Sequence, residues 1–244
     1  MKAKYLPNNF MRINKYLAEK NYTTRRGADE LIKQGLVLIN GRKAVLGDQV
    51  SAEDKVIVSA KVHQKKYIYL AYNKPEGIVT NLPQGGEKEI KDNIKTKHGV
   101  FPVGRLDKDS SGLIILTDDG RITKPLLSPE REHDKEYLVK VDKTFDENFL
   151  EKMAGGIQIK KPDGRYKTKP TEIKRHSRDS FKIILTEGKK RQIRRMCEAL
   201  GYRVKDLRRI RIMNINIGTL KPNEHRTLGG SELKTFLKNL GFKA

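Results

Sequence analysis

Sulfur, acid and long apolar runs are what this chain has least of. Cys197 is the only cysteine, so no disulfide can form within the chain, and that usage fits a reducing compartment. No apolar stretch approaches the length needed to cross a bilayer, and the segment through Asn9 carries no apolar signal core. The expectation is a cytoplasmic protein with no membrane partner. Neither G-x-G-x-x-G nor G-x-x-x-x-G-K-[ST] occurs, which leaves dinucleotide and P-loop chemistry without support. His63, His98, His133, His176 and His225 are scattered and, with one cysteine, give no metal-ligand spacing. No metal and no cofactor are therefore expected. Cys197 falls on an apolar helical stripe with Ile193, Met196 and Leu200 and reads as packed, not nucleophilic.

The shortage of acid has the larger consequence. Against 30 Asp and Glu stand 52 Lys and Arg, a formal net charge of +22 over 244 residues. That surplus exceeds what solubility needs and points to a polyanion, most simply nucleic acid. A chain of this size can still bury a real core.

Residues 1–10 read as a short basic tail. Ile13, Tyr16 and Leu17 then follow helical spacing, and Thr24 is placed to cap a second helix to Gln34 with Ala28, Leu31 and Ile32 inward. Gly35 ends it, Val37–Ile39 is a strand, Asn40-Gly41 favours a type I′ hairpin turn, and Val56–Val58 closes the unit. Arg12, Arg25, Arg26 and Lys33 lie around the two helices, where they could track phosphates. Residues 11–60 are thus a small accessory module, residues 61–66 a polar linker, and 67–244 one larger domain. In that domain Tyr67–Tyr72 reads as a buried strand stopped by Asn73-Lys74-Pro75. Further strands are expected at Tyr137–Val141, Phe181–Leu185 and Ile210–Ile217, and helices at Phe145–Met153, Gln192–Leu200 and Ser231–Leu240. Residues 160–170 read as a Lys-rich loop. Strands outnumber helices without regular alternation, which predicts an α+β fold with a mixed, largely antiparallel sheet flanked by helices.

Pro102 to Gly120 organises this domain. Leu113–Thr117 is an apolar strand between Gly112 and the turn Asp118-Asp119-Gly120. The polar segment before it carries Arg105, Asp107, Lys108 and Asp109 at the strand's mouth, where a rigid scaffold can position chemistry. An isolated loop aspartate is ordinarily a cap or turn residue. Asp107 stands out through Arg105 beside it and a second basic cluster, Glu187 to Met196, that enters a helix. Lys189, Lys190, Arg191 and Arg195 there could meet phosphate. Arg191, Arg194 and Arg195 share one helical face, and any of them could reach a carboxylate. An arginine so placed would lower an aspartate's pKa by about 1–3 units and keep it ionised as a nucleophile.

Two resemblances attach to these residues. Arg12 through Ala18, Arg25-Arg26-Gly27-Ala28-Asp29 and Leu31 through Gly41 resemble the alpha-L RNA-binding module, with Asn14 where an acid is commoner. Gly104-Arg105-Leu106-Asp107 with Gly112 through Gly120 resembles the catalytic motif of pseudouridine synthases of the RsuA and RluB/E/F group. Leu70 through Gly77, Lys135 through Val139 and Gly188 through Met196 agree with it. Lys108 through Ser111 and Arg209 through Asn214 look most like the RluF type, although Ser110-Ser111 replaces a commoner Thr-Glu. The resemblance implies a cofactor-free isomerase acting on a uridine of large-subunit ribosomal RNA, with a tRNA left open as a second substrate; a monomer is expected. It also implies Asp107 as the nucleophile or base that starts glycosidic cleavage and Tyr137 against the uracil face. Arg194 would sit on the Asp107 carboxylate, Arg105 near the flipped nucleotide and Leu207 in an apolar wall. The rival reading is a non-catalytic ribosomal RNA-binding or assembly factor.

Overall fold

The computed structural model describes residues 10–20, 22–60, 66–94, 99–161 and 164–242. Most of the expected basic tail, most of the linker, His63 and His98 fall outside them. The chain divides into two compact units, Met1–Tyr67 with Asp119–Arg121, and Ile68–Asp118 with Ile122–Ala244.

In the first unit, helices α1 (Ile13–Glu19) and α2 (Arg25–Lys33) precede strands β1 (Val37–Ile39), β2 (Arg42–Lys43) and β3 (Val56–Val58). The Thr24 hydroxyl accepts the Gly27 N–H at 3.1 Å and so caps α2. Asn40 and Gly41 take φ of 51° and 87°, the left-handed pair that a type I′ turn between β1 and β2 requires. Ile13, Leu17, Ala28, Ile32, Val37 and Ile39 form its core, which turns Arg12, Arg25, Arg26 and Lys33 outward to solvent.

The second unit is built on a nine-stranded sheet. Its strands are β4 (Tyr69–Lys74), β5 (Phe101–Val103), β6 (Ser111–Thr117), β7 (Lys135–Val141), β10 (Ile173–Arg175), β11 (Ser180–Leu185), β12 (Val204–Ile212), β13 (Ile215–Asn216) and β14 (His225–Thr227). A separate hairpin is made by β8 (Gln158–Lys161) and β9 (Gly164–Lys167). The order is β10-β11-β7-β12-β6-β4-β14, with β13 beside β12 and β5 beside β6. Within the sheet the β12–β6 pairing is parallel and the rest are antiparallel, so it is mixed and largely antiparallel. Helices α3 (Glu147–Ala154), α4 (Gln192–Ala199) and α5 (Gly230–Asn239) complete the main elements. Phe149, Met153, Ile159, Phe181, Ile193, Met196 and Cys197 bring α3, α4 and the hairpin into one core with the sheet. Cys197 is fully buried there, and burial pushes its thiol up to about 12.

Three expectations are corrected by these elements. The strand from Tyr67 does not stop at Asn73, because β4 runs through Lys74 with every residue buried. The strand expected from Ile210 begins at Val204 and ends at Ile212, where Met213 with φ of 50° turns the chain into β13. The Lys-rich loop is mostly the β8–β9 hairpin: Ile159 and Tyr166 pair across it and pack inward, which a count of lysines does not reveal.

Candidate active site

The segment from Gly104 to Ser110 is the loop of a hairpin. Val103 pairs with Ile115 across β5 and β6, so the polar residues must fold back over the sheet's centre. Thr80 fixes that path from beneath: its hydroxyl donates to Leu106 O at 2.8 Å and accepts the Leu106 N–H at 3.0 Å. Lys108 O accepts from Gly77 N at 2.8 Å, and Ser110 N donates to Asp107 O at 3.1 Å, closing a turn. Gly112 then enters β6 beside Arg209 of β12. With φ of 108° and Arg209 O only 2.3 Å from where a Cβ would stand, that position admits glycine alone without rearrangement.

Asp107 opens onto a cleft of about 460 Å³ whose lining includes Arg105, Tyr137, Lys189, Lys190, Arg191 and Leu207. Seven residues singled out in the sequence, from four separate stretches of this unit, therefore share one cavity. Tyr137 stands on β7 opposite Arg209, and Leu207 on β12 opposite Val139, so the cavity's floor is sheet. Arg105, Lys189, Lys190 and Arg191 are exposed at its mouth. The Asp107 carboxylate has no hydrogen bond or ion pair among the described residues.

Arg194 departs from the expected arrangement. It does not line the cleft, and it engages Asp109, not Asp107. Its guanidinium donates to Asp109 O at 2.5 Å, to Ser110 Oγ at 3.3 Å and to Val204 O at 3.3 Å. Arg194 Nε lies 3.3 Å from Asp109 Oδ2, an ion pair without hydrogen-bond alignment. Arg191, with a left-handed backbone at φ of 54°, grips the same carboxylate with two bonds of 3.0 and 2.9 Å. The reason is the turn at 107–110, which carries Asp109 toward the start of α4. Burial alone would raise the Asp109 carboxyl; the Arg191 hydrogen bond and the charges of Arg194 and Arg191 outweigh it and hold it low. Arg195 likewise lies outside the cleft lining.

Behind the loop stand two cations, Lys74 and Arg209, that lie within the matching blocks but were given no role from the sequence. Lys74 is fully buried and donates to Pro75 O and Ile78 O, each at 2.8 Å. Burial pushes its ammonium down to about 8, against the opposing charges of Glu76, Asp109 and Asp107. Arg209, also buried, donates from Nε to Leu113 O at 2.7 Å. The signal for Lys74 was present, a lysine ending an otherwise apolar strand, but the following proline read as a stop. Among the described residues no cluster of His, Cys, Asp and Glu could hold a metal, and no helix is long and apolar enough to cross a membrane.

A polar hairpin loop over a mixed sheet frames a cleft in which an unengaged aspartate and a tyrosine stand behind a rim of cations, a site of the size and charge to admit a nucleotide. Residues 68–199 match the family described as RNA pseudouridylate synthase, and residues 11–56 match the S4 domain. The chain belongs to the RNA pseudouridylate synthase family and is an isomerase with an RNA-binding S4 domain. It is 41% identical to the dual-specificity RNA pseudouridine synthase RluF of Escherichia coli K12, over 96% of this chain and 80% of that one. It is 34% identical to the ribosomal large subunit pseudouridine synthase B of Bacillus subtilis, over 91% and 94%. A crystal structure of a pseudouridylate synthase superposes with a TM-score of 0.66 at 29% identity, covering 94% of this chain and 99% of that one.

Proposed function

We propose that this enzyme converts a specific uridine of large-subunit ribosomal RNA to pseudouridine, with Asp107 as the group that starts the reaction. The N1–C1′ bond breaks, the uracil turns, C5 bonds to C1′, and the hydrogen leaving C5 is replaced at N1 by a proton, so no redox partner is needed. Asp107 would act as nucleophile or as base. Tyr137 lies against the uracil face, Leu207 forms the apolar wall, and Arg105 holds the flipped nucleotide. Lys189, Lys190 and Arg191 meet phosphates at the mouth, as Arg12, Arg25, Arg26 and Lys33 do on an RNA-binding module spanning 11–60. Arg195 adds charge beside them. Arg194 is a positioning residue acting through Asp109.

The observation that carries this reading is the unengaged Asp107 carboxylate in the same cleft as Tyr137 and the mouth cations. Residues for the whole site come from one chain, so a monomer suffices. The dual specificity named for the Escherichia coli relative supports a second RNA substrate, such as a tRNA. One buried thiol and an RNA substrate both suit the cytoplasm. The test is tritium release from RNA labelled at uridine C5. Asp107→Asn should abolish release while RNA affinity stays close to wild type, because an amide can neither attack nor accept the proton. Substantial turnover by that variant would remove Asp107 from its role.

A further inference from the structure

The β8–β9 hairpin has two unlike faces. Ile159 and Tyr166 pair across it and pack on the core that includes Ile193 of α4. The alternation of a strand sends Gln158, Lys160, Arg165 and Lys167 the other way, and all four are exposed. Lys160 and Arg165 stand directly opposite one another in register, and like charges so placed destabilise a sheet. Neither they nor Lys167 has an acidic partner among the described residues. A fold that concentrates uncompensated cations on one ordered face leaves their counter-charge to a partner.

The hairpin is also tied to the rim of the cleft. The Tyr166 hydroxyl donates to Glu187 at 2.5 Å, and Lys169 N–H donates to the other Glu187 oxygen at 3.1 Å. The Lys189 ammonium sits 4.9 Å over the Tyr166 ring. Glu187 and Lys189 both line the cleft, so these contacts hold the hairpin next to the cleft's rim.

We propose that the outer face of the β8–β9 hairpin binds the sugar–phosphate backbone of the RNA strand flanking the target nucleotide, through Lys160, Arg165 and Lys167. The proposal rests on the reading of RNA as substrate. Arg165 and Lys167, two residues apart on one strand, stand about 6.7 Å from each other and can take separate phosphates. Among the described residues the face carries no apolar side chain to insert into lipid, and its charge has the sign an RNA backbone requires.

Lys160→Glu tests this without weakening the hairpin, because it converts the Lys160–Arg165 clash into an opposite-charge pair. The melting temperature should hold or rise. The Kd for an unmodified large-subunit ribosomal RNA transcript should rise about tenfold near 0.1 M salt. The slope of log affinity against log salt should shrink by about 0.7 for each single-strand phosphate that is no longer neutralised. Raising the RNA concentration should recover turnover. Arg165→Gln with Lys167→Gln should move affinity and slope the same way, which covers the case in which Lys160→Glu fails to fold. Wild-type affinity and slope in a folded variant overturn the proposal, and would leave the face to an acidic protein partner. If the wild-type enzyme makes no pseudouridine in this transcript while the variants still bind it more weakly, the hairpin surface stands and the target reading falls. If pseudouridine forms and the variants bind as wild type, the reverse holds.

Discussion

Asp109→Asn isolates the clamp between the 104–110 loop and α4. Two arginines hold this carboxylate, and they hold it differently. In the Arg191 pair both side chains are about two-fifths exposed, at 40% and 41%, so solvent screens it to about 0.2–1 kcal/mol. Arg194 is 13% exposed. Removing one partner of a fully buried pair costs about 3–5 kcal/mol, but here the carboxylate is half open and Arg194 keeps Asp109 O, Ser110 Oγ and Val204 O. About 1–2 kcal/mol is the reasonable share. The variant should therefore be destabilised by about 2 kcal/mol altogether, lowering the melting temperature by about 4–8 °C for a chain of this size. Where that change loosens the 107–110 turn without unfolding the sheet, it should show in the single-turnover rate as a fall of about tenfold. The pH dependence adds a second reading. Asp109's folded pKa lies below its unfolded value near 3.8, so the contribution is complete above that value and disappears as pH falls through the folded one. Between pH 5 and 8 the difference between wild type and variant should be flat. Wild-type stability and rate in Asp109→Asn, or a difference that changes across pH 5–8, would refute the clamp.

The residues behind the loop lend themselves to two further tests. Gly112→Ala would place a Cβ 2.3 Å from Arg209 O and 2.6 Å from Arg209 N at a φ of 108°, so the urea midpoint should fall by the equivalent of about 4 kcal/mol; a midpoint near wild type would mean the β6–β12 pairing yields easily. Lys74 and Lys135 are both pushed by burial down to about 8, below the unfolded lysine value near 10.4, so between these limits the unfolded state binds more protons and stability should rise with pH. Lys135→Met should lower that slope by about 1 kcal/mol per pH unit between pH 8 and 10, measured by urea unfolding, and equal slopes would show that Lys135 does not titrate there.

How much of this was legible in the sequence depended on whether the signal was local. Thr24 acts through its own hydroxyl on the adjacent turn, Gly35 and Asn40-Gly41 through their own backbones, and the elements they bound lie where that local chemistry puts them. The same holds for Leu113–Thr117, a short run bounded by Gly112 and the turn at Asp118, which lies within a central strand. The Lys-rich stretch misled because its organising residues are two, Ile159 and Tyr166, separated by a turn and outnumbered by lysines. Lys74 was hidden for the opposite reason. A lysine in a strand core costs desolvation, and the compensation that lets this one end an apolar strand comes from the carbonyls of Pro75 and Ile78 in the turn that follows.

The choice between Asp107 and Asp109 as partner of Arg194 lay beyond any spacing argument, since two carboxylates two residues apart present the same charge to a distant helix. The turn decides it. By folding Ser110 N back onto Asp107 O, the loop delivers Asp109 to the guanidinium groups of Arg191 and Arg194 and leaves Asp107 directed at the cleft. That division suits the proposed reaction. A carboxylate that must approach C1′ or take a proton needs oxygens free to move the last fraction of an ångström, and a bidentate arginine fork would fix both of them. Asp109 supplies the rigid attachment between loop and helix, so that Asp107 can be held in place by backbone geometry while its oxygens stay available to substrate.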